Sequence, residues 1–132
     1  MGIIATPQPA SCPAMEGMSS EALTQVAAYF KALSEPTRLK ILNLLRRGER
    51  NVSEIAEATR YTAANVSRHL TLLTKHGLVA REGRGNAVYY RIADESIYAL
   101  CDLVCGNIAR QFEHTARAHE AFSRTAARAR RA

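Results

Sequence analysis

This sequence of 132 residues contains no tryptophan, and aromatic residues make up only 6% of it. The core therefore has to be built mainly from Leu, Ile, Val and Ala, and Leu and Ala favour helices. Cysteine is scarce as well, with three residues in the chain. An odd and small number of cysteines argues against a disulfide framework and against the class of small disulfide-stabilised secreted proteins.

Long apolar runs are also missing. No segment has the length of a membrane-spanning helix, which predicts that the protein has no membrane partner. Residues 1–14 have neither a basic start nor a sustained apolar stretch, so we expect no signal peptide. These features predict a cytoplasmic protein, whose thiols stay reduced and can bind metals.

Catalytic motifs are not visible. The chain has no phosphate-binding loop, and the best nucleophile and base are Ser67 and His69. Side chains two residues apart on a helix diverge, so this pair is a poor catalytic dyad. We therefore predict that the protein is not an enzyme.

Positive charge is abundant and unevenly placed. The formal net charge is +6 and the isoelectric point about 9.7. Six Lys or Arg residues lie between Arg60 and Arg91, against the single acid Glu82. A basic segment of this kind is typical of proteins that bind a polyanion such as nucleic acid.

The apolar periodicity predicts one domain at 19–115, between a flexible N-terminal arm at 1–18 and an Arg-rich tail at 116–132. The first helix begins at Ser19 or Ser20 and ends at Leu33, and Ser34 is a candidate cap for the second, which ends at Gly48. A short helix (52–58), a helix capped by Thr62 that reaches His76, two strands (78–81 and 87–92) around a turn (82–86), and a last helix capped by Asp94 follow.

Two helices joined by a short turn and followed by a β-hairpin predict a mainly α fold with a small β-hairpin wing, a winged helix-turn-helix. The second helix of such a pair enters the major groove of DNA, where side chains near its N-terminus contact base edges. Asn65 can make paired hydrogen bonds with adenine, and Arg68 with guanine. The predicted DNA-binding residues are Thr62, Ala63, Asn65, Ser67, Arg68 and His69 on the helix and Arg81 and Arg84 on the hairpin.

Three segments make the chain similar to a known family. Residues 30–42, Phe-Lys-Ala-Leu-Ser-Glu-Pro-Thr-Arg-Leu-Lys-Ile-Leu, resemble the opening signature of the ArsR/SmtB transcriptional repressors. Residues 65–70 are similar to the recognition-helix motif of that family, and residues 76–79 and 88–91 to its wing. The resemblance covers about residues 23–112. It implies a homodimeric repressor that binds an inverted repeat in double-stranded DNA and leaves it when an inducer binds.

The resemblance implies that dimers form through the first and last helices. The predicted interface comprises the apolar residues Leu23, Val26 and Phe30 on the first helix, and Leu100, Val104, Ile108 and Phe112 on the last. Symmetry leads independently to the inverted repeat, because a two-fold dimer with two reading helices needs two matched half-sites.

The resemblance also implies sensor positions that this chain leaves empty. A Cys-x-Cys pair is missing from residues 52–56, and Ser96, Asn107 and Arg110 stand where a zinc site on the last helix has its ligands. What remains is Cys101 and Cys105, which share one helix face, with Cys12 in the arm as a third thiol. Soft thiolates suit As(III) or Sb(III), the predicted inducers.

Other interpretations stay open. The cysteines could form a thiol-redox or persulfide switch, bind another soft metal, or be small packing residues of a constitutive DNA-binding protein. A winged domain that binds proteins and not DNA is a further alternative, disfavoured by the basic segment 60–91.

Overall fold

A computed structural model describes residues 13–131 in two units, which divide after Ala93. The first unit, as far as it is described, contains a short 3-10 helix, four α-helices and three strands. In chain order these are the 3-10 helix Pro13–Gly17, α1 Ser20–Leu33, α2 Pro36–Leu45, β1 Arg50–Asn51, α3 Val52–Thr59, α4 Ala63–Lys75, β2 Val79–Arg84 and β3 Ala87–Ile92. The second unit contains α5, Ser96–Arg131.

The core of the first unit lies where the apolar periodicity places it. Val66, Leu70 and Leu73 form the inward stripe of α4, and each is 0% exposed. They share the core with Ile41 of α2 and Ile55 of α3, which are equally buried. Because one side of α4 is fully buried, its opposite side is the one that can meet a partner.

Helix ends follow the predicted caps, with one correction. The Ser19 hydroxyl caps α1 by accepting the Ala22 N–H, and the Thr62 hydroxyl caps α4 in the same way. Ser34 was predicted to cap α2, and this is wrong: its hydroxyl donates to the Lys31 carbonyl at the end of α1. Glu35 caps α2 instead, because α2 begins at Pro36 and Glu35 is the residue directly before it; its carboxylate accepts the N–H of the third helical residue, Arg38.

The sheet is larger than the predicted hairpin. Strand β1 was not predicted; it pairs antiparallel with β3, which lies between β1 and β2. The first hairpin strand, β2, extends to Arg84, whereas β3 keeps its predicted bounds, so the predicted five-residue turn shrinks to Gly85 and Asn86. Gly85 has a φ of 62°, which a two-residue hairpin turn requires and glycine adopts without strain.

The second unit is one long helix. The Asp94 carboxylate accepts the Ser96 N–H at 2.9 Å, as predicted for a cap, and this hydrogen bond lowers the pKa of Asp94. The helix continues to Arg131, so the predicted tail, 116–132, is helical as far as it is described. The predicted arm, 1–18, includes the 3-10 helix, and its first twelve residues lie outside the description. No helix within residues 13–131 is both long and apolar enough to cross a membrane.

Candidate functional site

A capped helix and a left-handed turn lead into α4. Asn51 and Glu54 form a reciprocal capping box at the start of α3, so that each side chain accepts the backbone N–H of the other. Between α3 and α4 the backbone turns at Arg60, which has a φ of 64°. This left-handed conformation favours glycine, and an arginine there puts a cation into the turn before α4. The sequence prediction included the turn but assigned no role to Arg60.

The exposed face of α4 is the candidate DNA-reading surface. Ser67 and Arg68 lie on it as predicted, and the predicted residues Thr62 and Ala63 are exposed at the start of the helix. The prediction missed Ala64, Thr71 and Lys75, which are exposed on the same face. Their positions at 100° per residue, opposite the stripe of Val66, Leu70 and Leu73, are the signal that could have found them.

The side chains of Asn65 and Arg68 contact each other on α4. The Arg68 guanidinium donates to the side-chain oxygen of Asn65, one turn earlier on α4. Asn65 is partly buried, whereas Arg68 is exposed. The contact occupies one of the five Arg68 donors and leaves the Asn65 amide group available, so both residues keep hydrogen-bonding capacity for base edges.

His69 does not lie where a groove-facing residue belongs. Its side chain is only 14% exposed, and its Nδ1 lies 3.2 Å from Nη1 of Arg38. Its Nε2 lies 3.8 Å from the Glu35 carboxylate. The expectation that His69 faces the groove is therefore corrected: one position past Arg68, the helix has turned this side chain toward α2. Burial lowers the pKa of His69, Glu35 opposes that shift, and the Arg38 and Arg68 charges add to it.

The wing places its two predicted arginines differently. Arg81 is exposed on β2, opposite Tyr90 of β3. The Arg84 guanidinium is held by Glu49, with Nη2 at 2.8 Å from Oε2, and also contacts Glu82 and the Tyr89 ring. The two carboxylates raise the pKa of Arg84. They also offset its charge, so Arg81 is the wing cation better placed to bind phosphate.

The cysteine pair lies on α5, as predicted. Cys101 is partly buried and Cys105 exposed, and neither is in a disulfide. Residues four apart on a helix have Cβ atoms about 5–6 Å apart, so one ion can contact both sulfurs. Within residues 13–131 no group of three His, Cys, Asp or Glu side chains could hold a metal. The third predicted thiol, Cys12, lies outside the described residues.

The predicted dimer residues divide between the two units. In α1, Leu23 and Phe30 are more than two-fifths exposed, and Val26 is partly buried. In α5, Leu100 is partly buried, whereas the remaining three are exposed; these are Val104, Ile108 and Phe112. Large apolar side chains left in water mark interaction surfaces.

Comparison with known proteins identifies the family. Residues 35–81 match the family of bacterial regulatory proteins named arsR. The arsenical resistance operon repressor of Bacillus subtilis is 33% identical over 87 residues, which are 65% of this chain and 83% of that repressor. The chain belongs to the ArsR family. Membership confirms the interpretation as a transcriptional regulator and not an enzyme.

Two mycobacterial proteins extend this ArsR assignment. The HTH-type transcriptional regulator Rv0324 of Mycobacterium tuberculosis is 45% identical over 82 residues, 62% of this chain but only 36% of that longer protein. A homodimeric winged helix-turn-helix DNA-binding domain from Mycobacterium bovis is 40% identical, with a TM-score of 0.65, over 74% of this chain and 94% of that domain. The predicted fold class is thereby confirmed.

Proposed function

We propose that this chain is a homodimeric repressor that binds an inverted repeat in operator DNA through α4 and the wing, and acts in the cytoplasm. The observation that carries the proposal is the division of α4. Val66, Leu70 and Leu73 are fully buried, while Ser67 and Arg68 on the other side are exposed. A helix held so firmly can present its outer face to the major groove. The dimeric Mycobacterium bovis domain supports two such helices per particle.

The test of DNA binding starts from a random duplex library, because the operator is unknown. Selection with the full chain should enrich an inverted repeat, and affinity for it should fall steeply as salt rises, with a log–log slope of roughly −0.9 per phosphate contact. A mixed-sequence duplex of equal length is the control. Binding that ignores sequence would instead indicate an architectural DNA-binding protein, and no binding would favour a protein-interaction domain.

We further propose that thiols bind the inducer, with As(III) or Sb(III) as the ligand. Two thiols share one turn of α5, and a third from Cys12 would complete the three-sulfur pyramid that these ions take. The similar Bacillus subtilis protein is a repressor of arsenical resistance, which favours this ligand. Each Cys S–H exchanges with an As–OH of arsenous acid and releases water, so the step needs no oxidant. Coupling of about 1–3 kcal/mol to the DNA-bound state would suffice for release.

Arsenite titration of the selected DNA complex tests the sensor. Wild-type protein should release the DNA, whereas Cys101→Ser and Cys105→Ser should bind DNA normally and not respond. Cys12→Ser should respond more weakly than wild type, because two sulfurs still bind while the arm no longer closes the site. Parallel titrations with a mercuric salt, hydrogen peroxide and a persulfide donor separate the soft-metal and redox alternatives. A double Cys101→Ser, Cys105→Ser variant that still releases DNA on arsenite would place the sensor elsewhere.

A further inference from the structure

Arg38 joins three helices at one point. It lies in α2, and its Nε donates to the Ala32 carbonyl at 2.6 Å while its Nη2 donates to the Lys31 carbonyl at 3.3 Å. Both carbonyls are in the last turn of α1, where carbonyls lose the partner four residues on; the Lys31 carbonyl also accepts from the backbone N–H and the hydroxyl of Ser34. The third nitrogen, Nη1, lies 3.2 Å from Nδ1 of His69 in α4. One guanidinium thus links the end of α1 to the candidate DNA-reading helix.

The contact with His69 requires one protonation state of the imidazole. A guanidinium only donates hydrogen bonds, so Nδ1 of His69 has to accept and therefore carries no proton. Protonated His69 donates from both nitrogens and cannot make this bond. It would also place a second positive charge against Arg38. The link is complete only while His69 is neutral.

Burial is the main reason that His69 favours the neutral form, and the charges around it act in both directions. Arg38 of α2 and Arg68 of α4 disfavour the imidazolium, whereas Glu35 of α2 stabilises it from 3.8 Å. The arginines act in the same direction as burial, and the pKa of His69 lies below its usual value of 6.5. Neutral His69 therefore predominates above pH 6.5 and is lost as the pH falls below it.

We propose that Arg38 is a positioning residue, which fixes α4 against the end of α1 through neutral His69 and so holds the DNA-reading face in its binding orientation. The inference rests on the proposed DNA binding by α4. Residue 38 belongs to the segment 30–42, which carries part of the family resemblance, and it is not among the predicted DNA-binding residues. Its role is to transmit the position of α1 to the reading helix.

Operator affinity of Arg38 variants separates positioning from direct phosphate contact. Arg38→Gln and Arg38→Lys should both bind the selected inverted repeat about tenfold more weakly at pH 7.5, since neither side chain can bridge two carbonyls and an imidazole. The slope of log affinity against log salt should stay unchanged in both. Arg47→Gln, which removes an exposed positive charge just past the end of α2, is the matched control. The proposal would be overturned if Arg38→Lys bound with wild-type affinity and the salt slope of Arg38→Gln were about one unit shallower, because that result would mean that Arg38 contacts a phosphate.

The pH dependence gives a second readout. Wild-type affinity for the inverted repeat should hold above pH 6.5 and fall as the pH is lowered through the depressed pKa of His69. His69→Asn should bind like wild type at pH 7.5 and lose less affinity on acidification, because its side-chain oxygen takes the place of Nδ1 and does not titrate in this range. His69→Ala should bind weakly throughout. Equal acid sensitivity of the wild type and His69→Asn would contradict the role of His69.

A measurement without DNA keeps this inference separate from the proposed function. The ¹⁵N shifts of the His69 imidazole should indicate an unprotonated, hydrogen-bonded Nδ1 in the wild-type dimer at pH 7.5, and the hydrogen-bond shift should vanish in Arg38→Lys. If no duplex binds but these shifts appear, the link exists and DNA binding is the part that failed. If Nδ1 carries the proton in the wild type, the link itself is refuted. Thermal melts establish whether each variant folds. Should both Arg38 variants unfold, His69→Ala takes their place, because it removes the contact with α4 and leaves the contacts between α1 and α2 intact.

Discussion

The two units differ in how far their large apolar side chains are buried. The first encloses a core of its own, with Ile41, Ile55 and Leu70 fully buried. The second is a 36-residue helix on which Leu103 and Phe112 are 70% and 71% exposed. Helices in proteins gain most of their stability from packing of an apolar face. The comparison indicates that the first unit, called the reading unit because it contains the candidate DNA-reading surface, is specified by its own residues. The large apolar side chains of α5 are mostly exposed, and the proposed dimer would cover them.

The largest effect is expected from a charge on the exposed apolar face of α5. Ile108→Glu should yield monomers and abolish binding to the inverted repeat, because burying an unpaired carboxylate costs several kcal/mol. Sedimentation velocity and a DNA-binding assay on the same samples measure both losses. Ser123→Glu, which adds the same charge at an exposed polar position of α5, should stay dimeric. An Ile108→Glu variant that remains dimeric would exclude this face as the interface.

Truncation of a leucine should affect the two units unequally. Leu70→Ala should lower the free energy of unfolding by about 2–5 kcal/mol, since it removes a fully buried side chain from the core. Leu103→Ala should change it by less than about 0.5 kcal/mol, as is usual at an exposed site. Urea unfolding with linear extrapolation gives both values. Equal losses would mean that Leu103 is covered in the dimer, which would extend the interface beyond the predicted residues.

Removal of an exposed arginine should matter only in the reading unit. Arg68→Ala should weaken operator binding by about 1–3 kcal/mol if the side chain pairs with a base, with most of that loss at one base position. Arg110→Ala removes the same charge from α5 and should have little effect. Fluorescence anisotropy against a set of single-base operator variants checks the pattern. An Arg68→Ala variant that binds every duplex like wild type would refute the docking of α4 in the groove.

The smallest effect is a pH dependence confined to the reading unit. Because the pKa of His69 is lowered in the folded protein, the folded state binds fewer protons than the unfolded one. The stability that this residue contributes is complete above about pH 6.5 and declines as the pH falls below it. Thermal melts of wild type and His69→Asn from pH 8 to pH 5 should therefore diverge on the acid side. Parallel curves would show that His69 is not responsible.

Local patterns were enough to predict most of the fold. The stripe of Val66, Leu70 and Leu73 identified the orientation of α4, and Thr62 and Asp94 identified two helix starts. These features depend on residues within one or two turns of each other, so spacing and capping chemistry determine them. The exposed face of α4 follows from the same spacing.

Contacts between distant residues were not predictable in this way. Arg84 was predicted as a DNA-binding residue of the hairpin, and its contact with Glu49, which lies 35 positions earlier in the chain, was not predicted. His69 was expected in the groove, but it meets Arg38 across 31 positions. Strand β1 has only two residues, too few to show an alternating pattern, and exists because β3 lies beside it. In each case tertiary packing and not local sequence selected the partner.

Asn51 belongs to two structures at once. It pairs with Tyr89 in the sheet and also caps α3, so no residue separates the wing sheet from the first helix of the helix-turn-helix. The wing and the helix pair are therefore expected to shift as one piece. In the proposed dimer, two such pieces would set the distance between the half-sites that can be bound together. Each base pair added to the operator spacer moves one half-site by about 3.4 Å and rotates it by roughly 34°. An inducer-driven change in the dimer would then alter operator affinity mainly through the length of the spacer, and less through the sequence of either half-site.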